Sequence, residues 1–176
     1  MYPFFRMAKE LLKFRAAPAL DATDTHVSTH IIWPWDLDPW RELNNGRMLT
    51  LFDLGRLPLI VRTGLASGVR RKGWYITVAG TNVRYRRRLT VFTRVEQRSK
   101  CIGWDAKFFY LEQSFWKGDE CASHMLLRAA VASKAGIVPP AQVMADLGRD
   151  AQSPDLPGWV QGWAKADTLR PWPPTR

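Results

Sequence analysis

Trp33–Leu65 reads WPWDLDPWRELNNGRMLTLFDLGRLPLIVRTGL, and its second half decides the fold. After Asn44-Asn45-Gly46, residues Leu49, Phe52, Leu57 and Ile60 recur at helical spacing, and apolar residues fill much of the remaining circumference. A helix apolar on most sides is a buried helix, so the rest of the chain has to wrap it. Asparagine at its start supplies a side-chain oxygen for the first free amides. Pro58 is expected to kink or end the helix near Leu54, where its missing N–H strands a carbonyl. The glycine-flanked region 64–73 closes the segment.

The wrapping material is β-like. His26–Trp33 (HVSTHIIW) reads as a first strand rich in β-branched residues. From Gly73 to about Ala135 come four runs: WYITVAGTNVRYRRR, VFTRVEQRSKC, WDAKFFYLEQSFW and ECASHMLLRAAVAS. Their junctions, Leu89-Thr90, Ile102-Gly103 and Lys117-Gly118-Asp119, are short enough for consecutive antiparallel hairpins. The fold class expected is α+β: a long central helix wrapped by a five-stranded antiparallel sheet, with N- and C-terminal helical extensions. A sheet of that size covers the helix from one side only, so a homodimer or tetramer is expected. Three regions follow: an amphipathic helix and linker over 1–25, the main domain over 26–148, and a Pro/Trp-rich extension over 149–176.

In the first region Phe4, Met7, Ala8, Leu11 and Leu12 form an apolar face, with Phe14 at its edge. Arg6, Lys9, Glu10 and Lys13 lie opposite. Packing of the apolar face on the chain's own body is the simpler reading; weak contact with a membrane surface is the other. No apolar run approaches the ~20 residues that span a bilayer, and no secretory leader is evident, so a cytoplasmic chain is expected.

Lysine and arginine exceed the acids by ten, which points to an anionic partner. No nucleic-acid motif accompanies that charge. Cys101 and Cys121 form no CxxC pair, and His26, His30 and His124 lack metal-ligand spacing, so no metal and no cofactor are expected. There is no GxSxG, phosphate loop or dinucleotide fingerprint. Ser28 and His30 share a strand with no evident acid to orient the imidazole.

The quoted stretch also holds two acids, Asp36 and Asp38, among tryptophans and prolines. Carboxylates in such surroundings are either satisfied turn residues or working groups. Asp38 lies just upstream of a helix N-terminus, whose free amides and dipole favour anions. A base or nucleophile beside oxyanion donors is what acyl transfer needs. The alternative is that both acids cap turns and pair with Arg41 or Arg47.

The segment D-x-D-x5-N-N-G-R-M, Asp36–Met48, resembles the start of hotdog-fold acyl-CoA thioesterases of the 4-hydroxybenzoyl-CoA thioesterase type. Asp53 and Arg56 resemble an acid and arginine on that family's helix. NVRYRRRLTVFTRVEQRSK and LEQSFWKGDECASHMLLRAAVAS are similar to its later strands, so the resemblance runs from His26 to Ala135. Among its branches, the small thioesterase-superfamily-member proteins with an N-terminal helix are the most similar.

The resemblance implies the hotdog fold, active sites at a dimer interface, and an acyl-CoA substrate whose coenzyme A is the only such group involved. It places the catalytic base or nucleophile at Asp38 and an oxyanion-hole amide at Asn45. Asn44, Glu42 and Trp40 would then border the substrate. Alternation places Asn82, Arg84, Arg86 and Arg88 on one strand face; Arg84, Arg86 and Arg88 there would either meet the phosphates of coenzyme A or guard a solvated sheet edge by charge. A non-catalytic acyl- or CoA-binding scaffold is the alternative. Glu42 departs from a histidine common in the family, Pro58 from a continuous helix, and Arg88 from a frequent proline.

Overall fold

A computed structural model describes residues 2–174. The elements in chain order are α1 (Phe4–Lys13), β1 (His26–Ile31), a 3-10 turn (Pro34–Asp36), α2 (Asn45–Arg62), α3 (Leu65–Arg71) and β2 (Tyr75–Tyr85). They continue with β3 (Arg94–Trp104), β4 (Phe109–Lys117), β5 (Glu120–Ser133), β6 (Gly136–Val138), α4 (Pro140–Asp146) and α5 (Gly158–Thr168). Antiparallel strands in the order β1-β3-β4-β5-β2 curl around α2, and the short β6 pairs with the end of β5. This is the hotdog arrangement. No helix among the described residues is long and apolar enough to cross a membrane.

Helix α2 buries Met48, Leu51, Phe52, Leu54, Gly55, Pro58, Leu59 and Ile60. Its partners on the sheet include Val95, Leu111, Phe115, Met125 and Leu127, with Phe52 stacked on Phe115 at 4.5 Å between centroids. Polar groups fill the space between helix and sheet as well. Gln97 and Gln113 each donate an amide N–H to the Phe52 carbonyl, at 2.8 and 2.9 Å. A Cβ on Gly55 would lie 2.6 Å from Gln97 Nε2 and 2.7 Å from Ser99 Oγ, so only glycine lets the helix approach β3 this closely.

Several expectations need correction. Helix α2 runs unbroken through Pro58, because packing of the surrounding turns outweighs the lost hydrogen bond. Region 64–73 is itself helical, set off from α2 by Gly64 at φ 76°. Strands β2 and β3 are not a hairpin: β2 pairs with β5 across the sheet, and Leu89-Thr90 lies in a crossing segment. The β3–β4 turn falls at Asp105–Phe108, where Asp105 Oδ1 accepts from the amides of Lys107 and Phe108, while Gly103 makes a bulge. The β4–β5 hairpin turns at Gly118-Asp119 as expected.

Helix α1 is rotated from the expected setting. Met7 and Glu10 face inward, while Phe4, Phe5 and Leu12 are exposed. The tail docks α5 on the outer face of the sheet, with Val160 and Trp163 against Tyr110 and Leu126.

Candidate active site

The two acids of the D-x-D segment have different surroundings. Asp36 is fully buried and fully engaged. It accepts from Arg6 Nη1 at 2.7 Å, from Arg47 Nε at 2.7 Å and from the Trp33 amide at 3.0 Å. It ties α1 and the first turn of α2 to the loop between them, the satisfied role that the pairing with Arg47 anticipated.

Asp38 is half-buried in the next turn. Its Oδ1 accepts from the amides of Trp40, at 2.9 Å, and Glu42, at 3.3 Å. Its Oδ2 takes no hydrogen bond among the described residues. A Leu37–Leu43 bridge closes this loop, and Arg41 occupies the left-handed region at φ 60°. Glu42 pairs with Arg88 Nε at 2.6 Å, and Arg88 also donates to the Trp40 carbonyl at 3.0 Å. Trp40 itself is exposed.

At the start of α2, Asn44 caps the helix by accepting from the Arg47 amide at 2.9 Å. The amides of Asn45 and Gly46 have no partner among the described residues, leaving donors at the positive end of the helix dipole. The asparagines face different clefts. Asn45 borders one of about 240 Å³ with Glu42 and Arg86–Arg88, whereas Asn44 borders one with Phe4, Trp35 and Arg47. Glu42, Asn45, Arg86 and Arg88 are therefore brought together. Asp38 lies in the adjoining loop and lines neither cleft. The expectation that Arg84, Arg86 and Arg88 share one strand face is corrected: β2 ends at Tyr85, and the amides of Arg86 and Arg87 both turn to the Ala122 carbonyl. Arg84 stays on the strand, opposite His124.

The reading of residue spacings gave no hint of a mainly apolar cavity beside the middle of α2. About 700 Å³ in volume, it is walled by Leu57, Ile60, Trp74, Ile76, Phe109 and Leu127, among others. Its polar edge is a network: the Tyr2 hydroxyl donates to Asp53 at 2.9 Å, Asp53 pairs with Arg56, and Arg56 donates to Gln113 at 2.8 Å. Burial, then the hydrogen bond to Asp53, pushes the Tyr2 phenol up to about 12. The acid–arginine spacing on the helix was the available signal; Tyr2 comes from 51 residues away.

Ser28 and His30 do meet, with Oγ and Nε2 2.9 Å apart, and Glu10 brings an acid to 4.0 Å from His30 Nδ1. Ser28 is buried, and burial holds the His30 imidazole down at about 3 and the Glu10 carboxyl above its usual range. A serine sealed from solvent beside an imidazole that resists protonation is packing rather than a catalytic triad. No group of three or more metal-ligating side chains occurs among the described residues.

Comparison with known proteins agrees with this architecture. A family model described as "Thioesterase-like superfamily" matches residues 32–164. The chain is 33% identical over 165 residues to Protein THEM6 of Xenopus laevis, covering 92% of this chain and 78% of that protein. Among solved structures, the probable thioesterase YbaW of Escherichia coli superposes with TM-score 0.65 at 14% identity, covering 72% of this chain and 99% of that one. A Staphylococcus aureus protein solved in complex with CoA gives 0.59 at 11% identity, covering 82% and 96%. At these identities the structures speak for the fold alone; the family match and the THEM6 relative go further, and by them the chain belongs to the thioesterase-like superfamily.

Proposed function

We propose that the chain hydrolyses acyl-CoA thioesters to a free acid and coenzyme A. The observation that carries this reading is the start of α2: two amides, Asn45 and Gly46, without a partner among the described residues, next to the loop that holds Asp38, with arginines across the cleft. In the reaction Asp38 acts through Oδ2, as base towards water or as nucleophile towards the thioester carbonyl. Oxyanion charge develops at the Asn45 amide. Arg86 and Arg88, with Arg84 further along, receive the phosphates, which guanidinium groups suit. Arg88 reaches them by leaving Glu42. The acyl group enters the apolar cavity along α2.

The assembly proposed is a homodimer. Strand β2 ends the sheet with its outer edge unpaired among the described residues, and Tyr75, Val78 and Tyr85 are exposed on it. An edge of eleven residues is one that proteins usually cover. Light scattering should give twice the mass of the chain.

Release of free thiol from acyl-CoAs of several chain lengths tests the activity. Asp38→Asn should lower the rate by about 100-fold or more with the fold intact. An unchanged rate would remove Asp38 from the chemistry. Asp53→Asn run in parallel tests the carboxylate that does edge the apolar cavity. One observation favours a second reading, a binder without turnover: Asp38 Oδ1 is committed to its own turn, and Glu42 to Arg88. Under that reading CoA binds and no thiol appears.

A further inference from the structure

We propose that α1 and the aromatic cluster beside it form a docking surface for an anionic membrane. The proposal is independent of thioester hydrolysis and rests on how α1 is set against the body.

The inward line of α1 is Met7, Glu10, Leu11 and Phe14. Its outward line is Phe5, Ala8 and Leu12, with Phe5 95% and Leu12 68% exposed. Helical geometry puts Lys9 and Lys13 next to that line. An apolar stripe flanked by lysines suits the boundary between headgroups and acyl chains.

A second observation comes from different segments of the chain. Trp33 and Trp35 stack at 5.4 Å, and Phe92 meets Trp33 edge-on at 5.9 Å. Trp35 is 67% and Phe92 63% exposed. Phe92 also holds φ 58°, a strained setting for a bulky residue, with its ring largely in water. The two groups adjoin: Phe4, Phe5 and Trp35 line one cleft, and Lys9, Lys13, Trp33 and Arg94 another. Exposed tryptophan and phenylalanine beside basic residues are what a membrane interface favours.

Charge selects the occupant. Lys9, Lys13 and Arg94 form no ion pair among the described residues, whereas Arg6 beside them is paired with Asp36, and the carboxylate in their cleft, Glu10, is buried. In a contact between two copies the same cations would confront each other. Anionic headgroups instead complement them and attract them from a distance.

Co-sedimentation of the full chain with phosphatidylcholine vesicles, with and without about 30% phosphatidylserine, tests this. The chain should pellet with the anionic vesicles and be released as salt rises. Phe5→Ser/Leu12→Ser and Lys9→Glu/Lys13→Glu should each weaken binding by about tenfold or more. All four side chains are exposed, and a thermal melt of each variant checks that it is folded at the assay temperature. Failure of the parent chain to bind, equal binding to neutral vesicles, or binding that survives either double substitution overturns the proposal. A patch that serves contact between copies would show no vesicle binding and a changed solution mass in Phe5→Ser/Leu12→Ser, and the proposal falls there too.

Discussion

Asp36 and Asp38 stand two residues apart and are expected to fail in opposite ways. Asp36 is sealed between Arg6 and Arg47, so neutralising it leaves two guanidinium groups facing an amide that answers neither charge. Asp36→Asn should therefore cost roughly 3 kcal/mol of stability, with the midpoint of a urea melt moving accordingly. Asp38→Asn keeps the side-chain oxygen that accepts from Trp40 and Glu42, and should cost about 1 kcal/mol or less. If the two variants melt alike, the division of labour between the two acids is wrong. In sequence they look interchangeable, since both sit among tryptophans and prolines. The difference is made by Arg6, thirty residues away, which no local pattern reveals.

Helix α2 was legible because its apolar circumference is a property of the helix alone. The close fit of that helix to the sheet was not, because it depends on which residues of β3 come opposite. Gly55 reads as one more small residue in an apolar run, yet Gln97 and Ser99 close over it. Gly55→Ala should destabilise by about 2 kcal/mol by forcing those buried side chains apart, against the gain an alanine normally brings to a helix. Chemical denaturation would read the sign, and a stabilised variant would mean the helix can shift outward freely. The arginine run shows the same limit. Alternation along Asn82–Arg88 predicts one strand face, but two successive amides, of Arg86 and Arg87, turn to the carbonyl of Ala122 and end the strand. Where a strand stops depends on its partner, and β2 pairs with β5 rather than with its neighbour in sequence. The departures at Glu42 and Arg88 likewise look unrelated along the chain and prove to be one ion pair.

At the scale of the whole molecule, the seam between α1, β1 and α2 makes stability depend on pH. Burial lowers the imidazoles of His26, to about 4, and His30, to about 3; Arg62 adds to the shift at His26, and Arg6, Lys13 and Lys9 at His30. The unfolded chain binds protons on both near 6.5 while the folded chain refuses them. Their contribution is thus complete above about 6.5 and is lost as pH falls towards about 4 for His26 and about 3 for His30. Glu10 in the same seam acts in the other direction: its raised carboxyl favours the folded state in acid, and that contribution fades as pH rises through its folded value. On the outer face of the sheet, His124 and Lys100 hold Glu112 down to about 2, so its share is present above 4.5 and disappears between 4.5 and 2. The histidines act first on acidification. Unfolding free energy should fall between pH 6.5 and 4.5 with an upper slope of about 1.4 kcal/mol per pH unit for each histidine, eased by Glu10. His30→Asn should reduce that slope by about half whatever it does to stability at neutral pH, because only one imidazole then remains to take up a proton on unfolding. Urea melts across that range measure both slopes. An unchanged slope in His30→Asn would show that the imidazole is already solvated in the folded chain, and that α1 does not seal the strand it packs against.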